Sequence, residues 1–322
     1  MSSPRPSSRP SFQPVPGTAD TARRLEWRFL PPTLRAGIEQ QLGSPVVSAE
    51  SRNRGFTPGF ASVLTCEDGT RHFVKAASTN AQPLFARAYR EEARKLAGLP
   101  DTVPAPRLQW VLDDEWLAIG IEYVDGRHPA RPWRAEELDA CLDALEIVAD
   151  QLTPPSPELD LGTAAAELGP FFECWEGVRE LHPELAHVDE AEQLAARYAE
   201  VVAGETVVHT DVRDDNALID RDGKVWFCDW NWPVVGAPWL DSLFMLIGPR
   251  GDGVDVDAVI KGRPLLRDVP AEDVDSVIAL VTAYFLKSAA GPVPPTSPYL
   301  RDFQRWQGEV CWAWLCERRG WT

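Results

Sequence analysis

Between Val207 and Trp230 the chain reads VVHTDVRDDNALIDRDGKVWFCDW, and no other segment restricts the fold as much. Val207 and Val208 run apolar into a polar loop that carries His209, Asp211 and Asn216. Leu218 to Asp220 and Val225 to Cys228 read as two short strands, and Asp222-Gly223 between them is a tight-turn pair. A hairpin brings its open ends together. Asn216 and Asp229 flank that end, so their side chains are expected about 5 Å apart, as cross-strand neighbours are. Two oxygen ligands at that separation can share one small hard cation such as magnesium, whose bonds are about 2.1 Å long. Asp211 is then left to face a substrate hydroxyl as a base while Asn216 faces the metal. These are the parts a phosphoryl-transfer site needs. The plain alternative is a set of turn and loop carboxylates. Asp222 is read that way, and Asp214, Asp215 and Asp220 as solvated. H-x-D-x-x-x-x-N alone is a weak signal; the apolar lead-in, the hairpin and the closing Asp-Trp make it specific.

The rest of the composition fits an enzyme of one or two domains. At 322 residues and 44% hydrophobic the chain can bury a large core. No apolar run approaches the roughly 18 residues that span a bilayer. The first stretch, MSSPRPSSRPSFQPVPGTAD, lacks the apolar core of a secretory signal, and its Pro and Ser content predicts a disordered tail over 1–22. The six cysteines are scattered, so they read as reduced thiols of a cytoplasmic protein rather than zinc ligands or disulfides. His182 and His187 are too isolated for a metal site, and His72 and His128 read as surface or strand-end residues. The net charge of −17 argues against nucleic acid or an anionic membrane as a partner. It is compatible with a cationic small substrate and equally with simple solubility.

The pattern divides into two unequal parts, an α+β arrangement with a small mixed lobe over 23–124 and a mainly helical lobe over 125–322. In the first, Leu34 to Leu42 reads as a short helix. Val46 to Ser51, Phe60 to Cys66 and Arg71 to Ala77 read as strands, as do Leu108 to Leu112 and Trp116 to Tyr123. Gln82 to Leu99 is helical by period, with Leu84, Phe85, Ala88, Tyr89 and Leu96 along one side. In the second, helices are expected over Ala135 to Leu152, Ala164 to Leu181, Val188 to Val202, Ala271 to Ala290 and Tyr299 to Arg319, and the hairpin is the only sheet signal.

A catalytic loop in the second lobe predicts a cleft between the two, with nucleotide groups supplied by the first. Lys75 ends the run His72-Phe73-Val74-Lys75. An exposed strand-end lysine is the ordinary reading, but a buried one needs a carboxylate. The following helix offers Glu91 and Glu92, and Glu92 shares the face of Phe85, Tyr89 and Leu96. A Lys75–Glu92 pair would hold the ammonium against phosphates. Upstream, Gly55 and Gly59 lie in a strand-joining loop, where glycine lets the backbone approach phosphates. Neither a P-loop nor a dinucleotide fingerprint is present.

HTDVRDDN followed by FCDW resembles the aminoglycoside phosphotransferase family of small-molecule kinases, which also includes choline-kinase-like enzymes. RGFTPGFAS is similar to its nucleotide loop, FVK to its phosphate-binding lysine, EEARKLAGL to its ion-paired glutamate helix, and GAPWLDSL to its G-D-P-x-x-D-L segment. The resemblance runs from about Arg54 to Leu243. It implies a protein-kinase-like fold, ATP as donor and magnesium as cofactor. It assigns Asp211 as catalytic base, Asn216 and Asp229 as metal ligands, Lys75 as the phosphate contact and Glu92 as its partner. It also implies that the backbone at Glu122 and Val124 meets adenine, that His209 braces the loop, and that Asp241 anchors it.

Two positions depart from the family pattern: Thr210 stands for the Gly of H-G-D, and Ala237 for the Asp of G-D-P. Neither removes a reactive group. The acceptor is expected to be a small molecule, cationic or sugar-like, bound by the helical lobe. Its aromatic residues (Trp133, Phe171, Phe172, Trp175, Trp232, Trp239, Trp306, Trp312, Trp314 and Trp321) could cover a cation or a sugar face, although core packing accounts for most of them. Glu173, Glu176 and Asp302 are candidate partners for substrate amines. A catalytically silent nucleotide-binding regulator of the same fold is the alternative. A protein kinase is disfavoured, because GAPWLDSL follows Trp230-Asn231-Trp232-Pro233 with no room for an activation segment.

Overall fold

A computed structural model describes residues 24–52 and 59–321. The expectations for the tail over 1–22 and for Gly55 lie outside those residues. The chain runs α1 (Pro32–Leu42), β1 (Val46–Ser51), β2 (Phe60–Cys66), β3 (Arg71–Ser78), α2 (Pro83–Gly98), β4 (Leu108–Asp113), β5 (Trp116–Glu122) and β6 (Gly126–Arg127). The helices α3 (Ala135–Gln151), α4 (Ala164–Leu181), α5 (Val188–Ala195) and α6 (Tyr198–Val201) follow. Then come β7 (Thr206–Val208), β8 (Ala217–Asp220), β9 (Val225–Phe227) and β10 (Val234–Gly236). The chain finishes with α7 (Leu240–Met245), α8 (Ile247–Gly251), α9 (Val256–Gly262), α10 (Ala271–Ala289) and α11 (Leu300–Arg319).

β1, β2, β3, β5 and β4 form, in that order, one antiparallel sheet. Side chains alternate across it. Phe60, Leu64, Val74, Ala76 and Ala118 pack beneath α1 with Leu34 and Ile38. The intervening residues Ala77, Leu117, Ile119 and Ile121 face α2 and join the core that continues through α3 to α11. Full burial of Leu117 or Ile119 stabilises by roughly 1.5–3 kcal/mol each. Lys75 lies between Val74 and Ala76, so the pleat turns it to the α2 side. α2 begins with Pro83 in its first turn, where a missing N–H costs nothing. It buries Ala86, Tyr89, Glu92, Ala93 and Leu96. Leu84, expected on this face, is exposed, because the helical period places it nearly opposite the buried Ala86 and Ala93.

The second half departs from the sequence pattern in its short elements. The hairpin β8–β9 is not its only sheet: β6 extends the hairpin, and β10 pairs with β7. Strands of two or three residues are too short to show alternation. The helix expected over Val188 to Val202 is two, α5 and α6, with a break at Ala196–Arg197. At the open end of the hairpin, Cys228 N donates to Asn216 O at 2.8 Å, so Asn216 faces Cys228 and Asp229 lies one residue beyond. Asp229 then takes a left-handed φ of 69°. Gly223 turns the other end with φ 84°, and Asp220 Oδ1 accepts from the N–H groups of Asp222 and Lys224, so Asp220 holds the turn and is not merely solvated.

Candidate active site

The sheet and the helical half meet around a cleft of about 890 Å³, lined by Val63, Phe73, Lys75, Glu92, Asn216 and Asp229 among others. Ile121, Glu122, Tyr123 and Val124 line it where the chain passes out of β5. Arg107 fixes this strand end, its carbonyl accepting from Glu122 N at 2.8 Å and its N–H donating to the Glu122 carboxylate at 3.1 Å.

Lys75 Nζ donates to both oxygens of Glu92, at 2.7 and 2.8 Å, and to Asp229 Oδ1 at 2.7 Å. Glu91 turns outward to Arg94. Lys75 is thus buried and carries a carboxylate from each side of the cleft. Burial disfavours its ammonium, but Asp229 and Glu92 outweigh that and raise its pKa. Glu92 is 1% exposed, and burial pushes it up to about 7 against the pull of Lys75. Asp229 is held low: Lys75 overcomes the cost of burial. Burial pushes the neighbouring Cys228 thiol up to about 12, which leaves it protonated and unreactive.

The loop after β7 is held by Asp241, whose two oxygens accept from His209 N at 2.6 Å and Thr210 N at 2.9 Å. Asp241 is buried and anchors the loop from beneath. His209 Nδ1 accepts from Asp211 N at 3.2 Å, so its Nε2–H donates to Cys228 O at 2.9 Å. This ties the loop to the hairpin, and burial keeps the imidazole neutral by lowering its pKa. Thr210 occupies a left-handed φ of 66°, a strained conformation for a β-branched residue. Its hydroxyl offsets part of the strain by donating to Trp232 O at 2.8 Å.

Asn216 Nδ2 donates to Asp211 O at 2.8 Å and to Asp211 Oδ2 at 3.0 Å. Both amide hydrogens are spent, so its carbonyl oxygen remains an acceptor. Asp229 receives Lys75 and Asn231 on Oδ1, the latter at 2.5 Å, and among the described residues its Oδ2 receives no hydrogen bond. The donor set, two protein oxygens lining the cleft, fits a small hard cation. Among the described residues no three His, Cys, Asp or Glu side chains converge on a metal cage. Burial raises Asp211 to about 6, with Arg213 opposing and Asp215 and Asp229 adding to the rise.

Arg213 escaped the sequence reading. Its backbone is extended, so Val212 turns into the core while Asp211 and Arg213 turn to the same side. Its guanidinium bridges the Asp211 carboxylate and Asp215, the latter from Nε at 2.8 Å and Nη2 at 3.1 Å. Asp214 likewise pairs with Arg131 at 3.2 Å. Both acids were expected to be solvated, and both are half-buried beside a guanidinium. Period-two spacing of acid, base and acid in D-V-R-D-D was the available signal for Arg213; Arg131 approaches from a distant element and left none. His128, expected at the surface, bonds the carbonyls of Asp214 and Ala217 and lines the cleft. Lys95, also missed, reaches from α2 to Asn231 O at 2.6 Å.

On the far side of Asp211, Phe171 stacks on Tyr284 at 4.0 Å, and Tyr284 senses the charges of Asp211 and Arg213. Arg213 lies over the Phe303 ring at 5.8 Å. Of the tryptophans, Trp133, Trp175, Trp239, Trp306 and Trp314 are core residues, whereas Trp232 is 54% exposed. Glu173 and Glu176 are exposed on α4, and Asp302 pairs with Arg305.

Comparison with known proteins bears on the family and the fold. Residues 59–272 match the model of a phosphotransferase enzyme family. None of the curated proteins matches the sequence. Among solved structures, an aminoglycoside phosphotransferase from Alicyclobacillus acidocaldarius is 16% identical with a TM-score of 0.54, covering 85% of this chain and 92% of its own. A choline kinase from Streptococcus pneumoniae is 13% identical at 0.55, covering 86% and 98%. A spectinomycin phosphotransferase, solved with ADP and spectinomycin, is 11% identical at 0.56, covering 89% and 98%. These likenesses give the fold, an α+β protein-kinase-like architecture with an antiparallel sheet followed by a mainly helical region. With two thirds of its length matched by the family model, the chain belongs to the phosphotransferase enzyme family.

Proposed function

We propose that the protein transfers the terminal phosphate of ATP to a hydroxyl of a small molecule, with residues 23–124 as the nucleotide lobe and 125–322 as the catalytic and acceptor lobe. The observation that carries this reading is the chain of contacts Glu92–Lys75–Asp229 across the cleft, with Asn216 in its lining bonded to Asp211. A silent relative would have no physical need for all of these groups in register, so the regulatory alternative is the weaker one.

In this reading adenine lies against Ile121 and bonds the backbone of Glu122 and Val124, and the phosphates approach Gly55, Gly59 and Lys75. Glu92 holds the Lys75 ammonium in place, where it neutralises phosphate charge. Asp229 and Asn216 would hold magnesium, which would offset charge on the phosphate oxygens. Arg213 and Asn216 orient the Asp211 carboxylate, and each carboxylate oxygen keeps a second lone pair. One of these takes the proton of the acceptor hydroxyl as its oxygen bonds to phosphorus, while the bond from phosphorus to the leaving ADP oxygen breaks. The acceptor is cationic or sugar-like. The Phe171–Tyr284 stack and the exposed Trp232 offer aromatic faces, and Asp211 with Asp215 outnumbers Arg213. Six unpaired cysteines suit a cytoplasmic enzyme that draws on the ATP pool.

The test is ATP consumption, with and without magnesium, against a panel of aminoglycosides, macrolides, amino alcohols and sugars. Magnesium-dependent phosphorylation of one panel member supports the reading. Failure of the protein to bind ADP or ATP in the presence of magnesium contradicts it.

A further inference from the structure

Helix α2 brings a second polar group to the cleft. Tyr89 stands one turn before Glu92, lines the cleft and is 2% exposed. Its hydroxyl is buried, yet among the described residues it has no hydrogen-bond partner. An orphaned buried hydroxyl is costly, and native structures leave few of them. Its surroundings define what would satisfy it. The Lys75 ammonium lies 5.7 Å from the ring centroid, and the charges of Arg24, Lys75, Glu92 and Asp229 reach the phenol. Both carboxylates in that set are already bonded to Lys75. The hydroxyl lies against Gly59, where a Cβ would come within 2.9 Å of the phenol oxygen and where φ is 148°. Gly59 is therefore required both for its backbone angle and for the room that Tyr89 occupies. Burial also raises the phenol pKa, so the group remains a donor.

We propose that the Tyr89 hydroxyl donates a hydrogen bond to a phosphate oxygen of the bound nucleotide, alongside Lys75. The inference rests on the nucleotide-cleft reading above and deepens it. A donor beside an ammonium, next to a glycine that admits close backbone approach, fits a phosphate. The adenine end of the cleft, at Ile121 to Val124, is elsewhere. Tyr89 is thus a binding residue for the phosphate chain, while Glu92 on the same helix acts only through Lys75.

Tyr89→Phe removes the oxygen and keeps the ring. Calorimetric titration of the full chain with adenosine and ADP, in magnesium, separates the possibilities. ADP affinity should fall roughly tenfold, the worth of a hydrogen bond to a charged group, while adenosine affinity stays within about twofold. Unfolding of the unliganded variant should occur at or above the parent temperature, since the orphaned group is gone. Parent-like ADP binding by Tyr89→Phe overturns the inference and leaves the nucleotide reading standing. Equal loss for adenosine and ADP also overturns it, by showing a general change in the cleft. A parent protein that binds no ADP removes the nucleotide reading itself, and this inference with it.

Discussion

Lys75→Met tests the electrostatic frame of the cleft without any need for a substrate. The substitution keeps the stem volume and removes the ammonium that Glu92 and Asp229 share. Asp229 is 30% exposed and keeps Asn231, so water and that amide cover much of its loss. Glu92 is 1% exposed and has no such relief. Breaking a buried pair from one side costs about 3–5 kcal/mol. At about 2–4 °C per kcal/mol for a chain of this size, the melting temperature should fall by roughly 6–20 °C. Glu92 already titrates near 7 in place of 4.5 with Lys75 present, and without it the value rises further. A carboxyl whose folded pKa is raised is stabilising below its unfolded pKa and loses that contribution as pH climbs through the folded value. The deficit of Lys75→Met should therefore be larger at pH 8.5 than at pH 6, on about those settings. Adding Glu92→Leu should recover at least half of it, because an apolar replacement of the whole pair is often close to neutral. Thermal unfolding of the four proteins of the cycle decides the matter. A loss under about 0.5 kcal/mol, the usual effect of a surface lysine, or one independent of pH, would refute the argument.

The acid limb of kcat/KM should fall near pH 6, because burial with Asp215 and Asp229 raises Asp211 to about 6 against Arg213 and Asn216, and a base is lost as pH drops through its pKa; a limb below about pH 5 would point to another base. Thr210→Ala keeps the left-handed strain and loses the bond to Trp232, whereas Thr210→Gly loses the same bond but relieves the strain. The glycine variant should therefore unfold at higher denaturant than the alanine variant by about 1 kcal/mol, and the opposite order would show that Thr210 is unstrained.

Much of this architecture was legible because it repeats a local rule. α2, α3, α4, α10 and α11 follow their apolar period to within a residue or two, and Asp222-Gly223 marks the β8–β9 turn. Lys75 and Glu92 could be paired because the strand period fixed one face and the helix period the other. What escaped was either too short for a period or set by a neighbour distant in sequence. β7 and β10 are three residues each and exist through one another. The break between α5 and α6 and the short helices α7 to α9 have the same origin: tertiary packing rather than a repeated pattern. Asp214 looked solvated because Arg131, 83 positions earlier, cannot be seen from the loop. Asn216 and Asp229 were read as flanking the open end of the hairpin; Cys228 takes the position paired with Asn216, and Asp229, one residue on with a left-handed φ, bonds Lys75.

The central claim is that Asp211 performs the chemistry while the wall of Lys75, Glu92, Asn216 and Asp229 holds the nucleotide. Asp211→Asn addresses it in one comparison, since it keeps the shape and removes the base. Phosphate transfer to the best acceptor of the panel should fall by about two to four orders of magnitude. The dissociation constant of magnesium-ADP, measured on the same preparation, should stay within about threefold of the parent, less than the tenfold that 1.4 kcal/mol represents. A variant that retains more than about a tenth of the parental rate, a barrier change under 1.4 kcal/mol, would remove Asp211 from the mechanism and contradict the account.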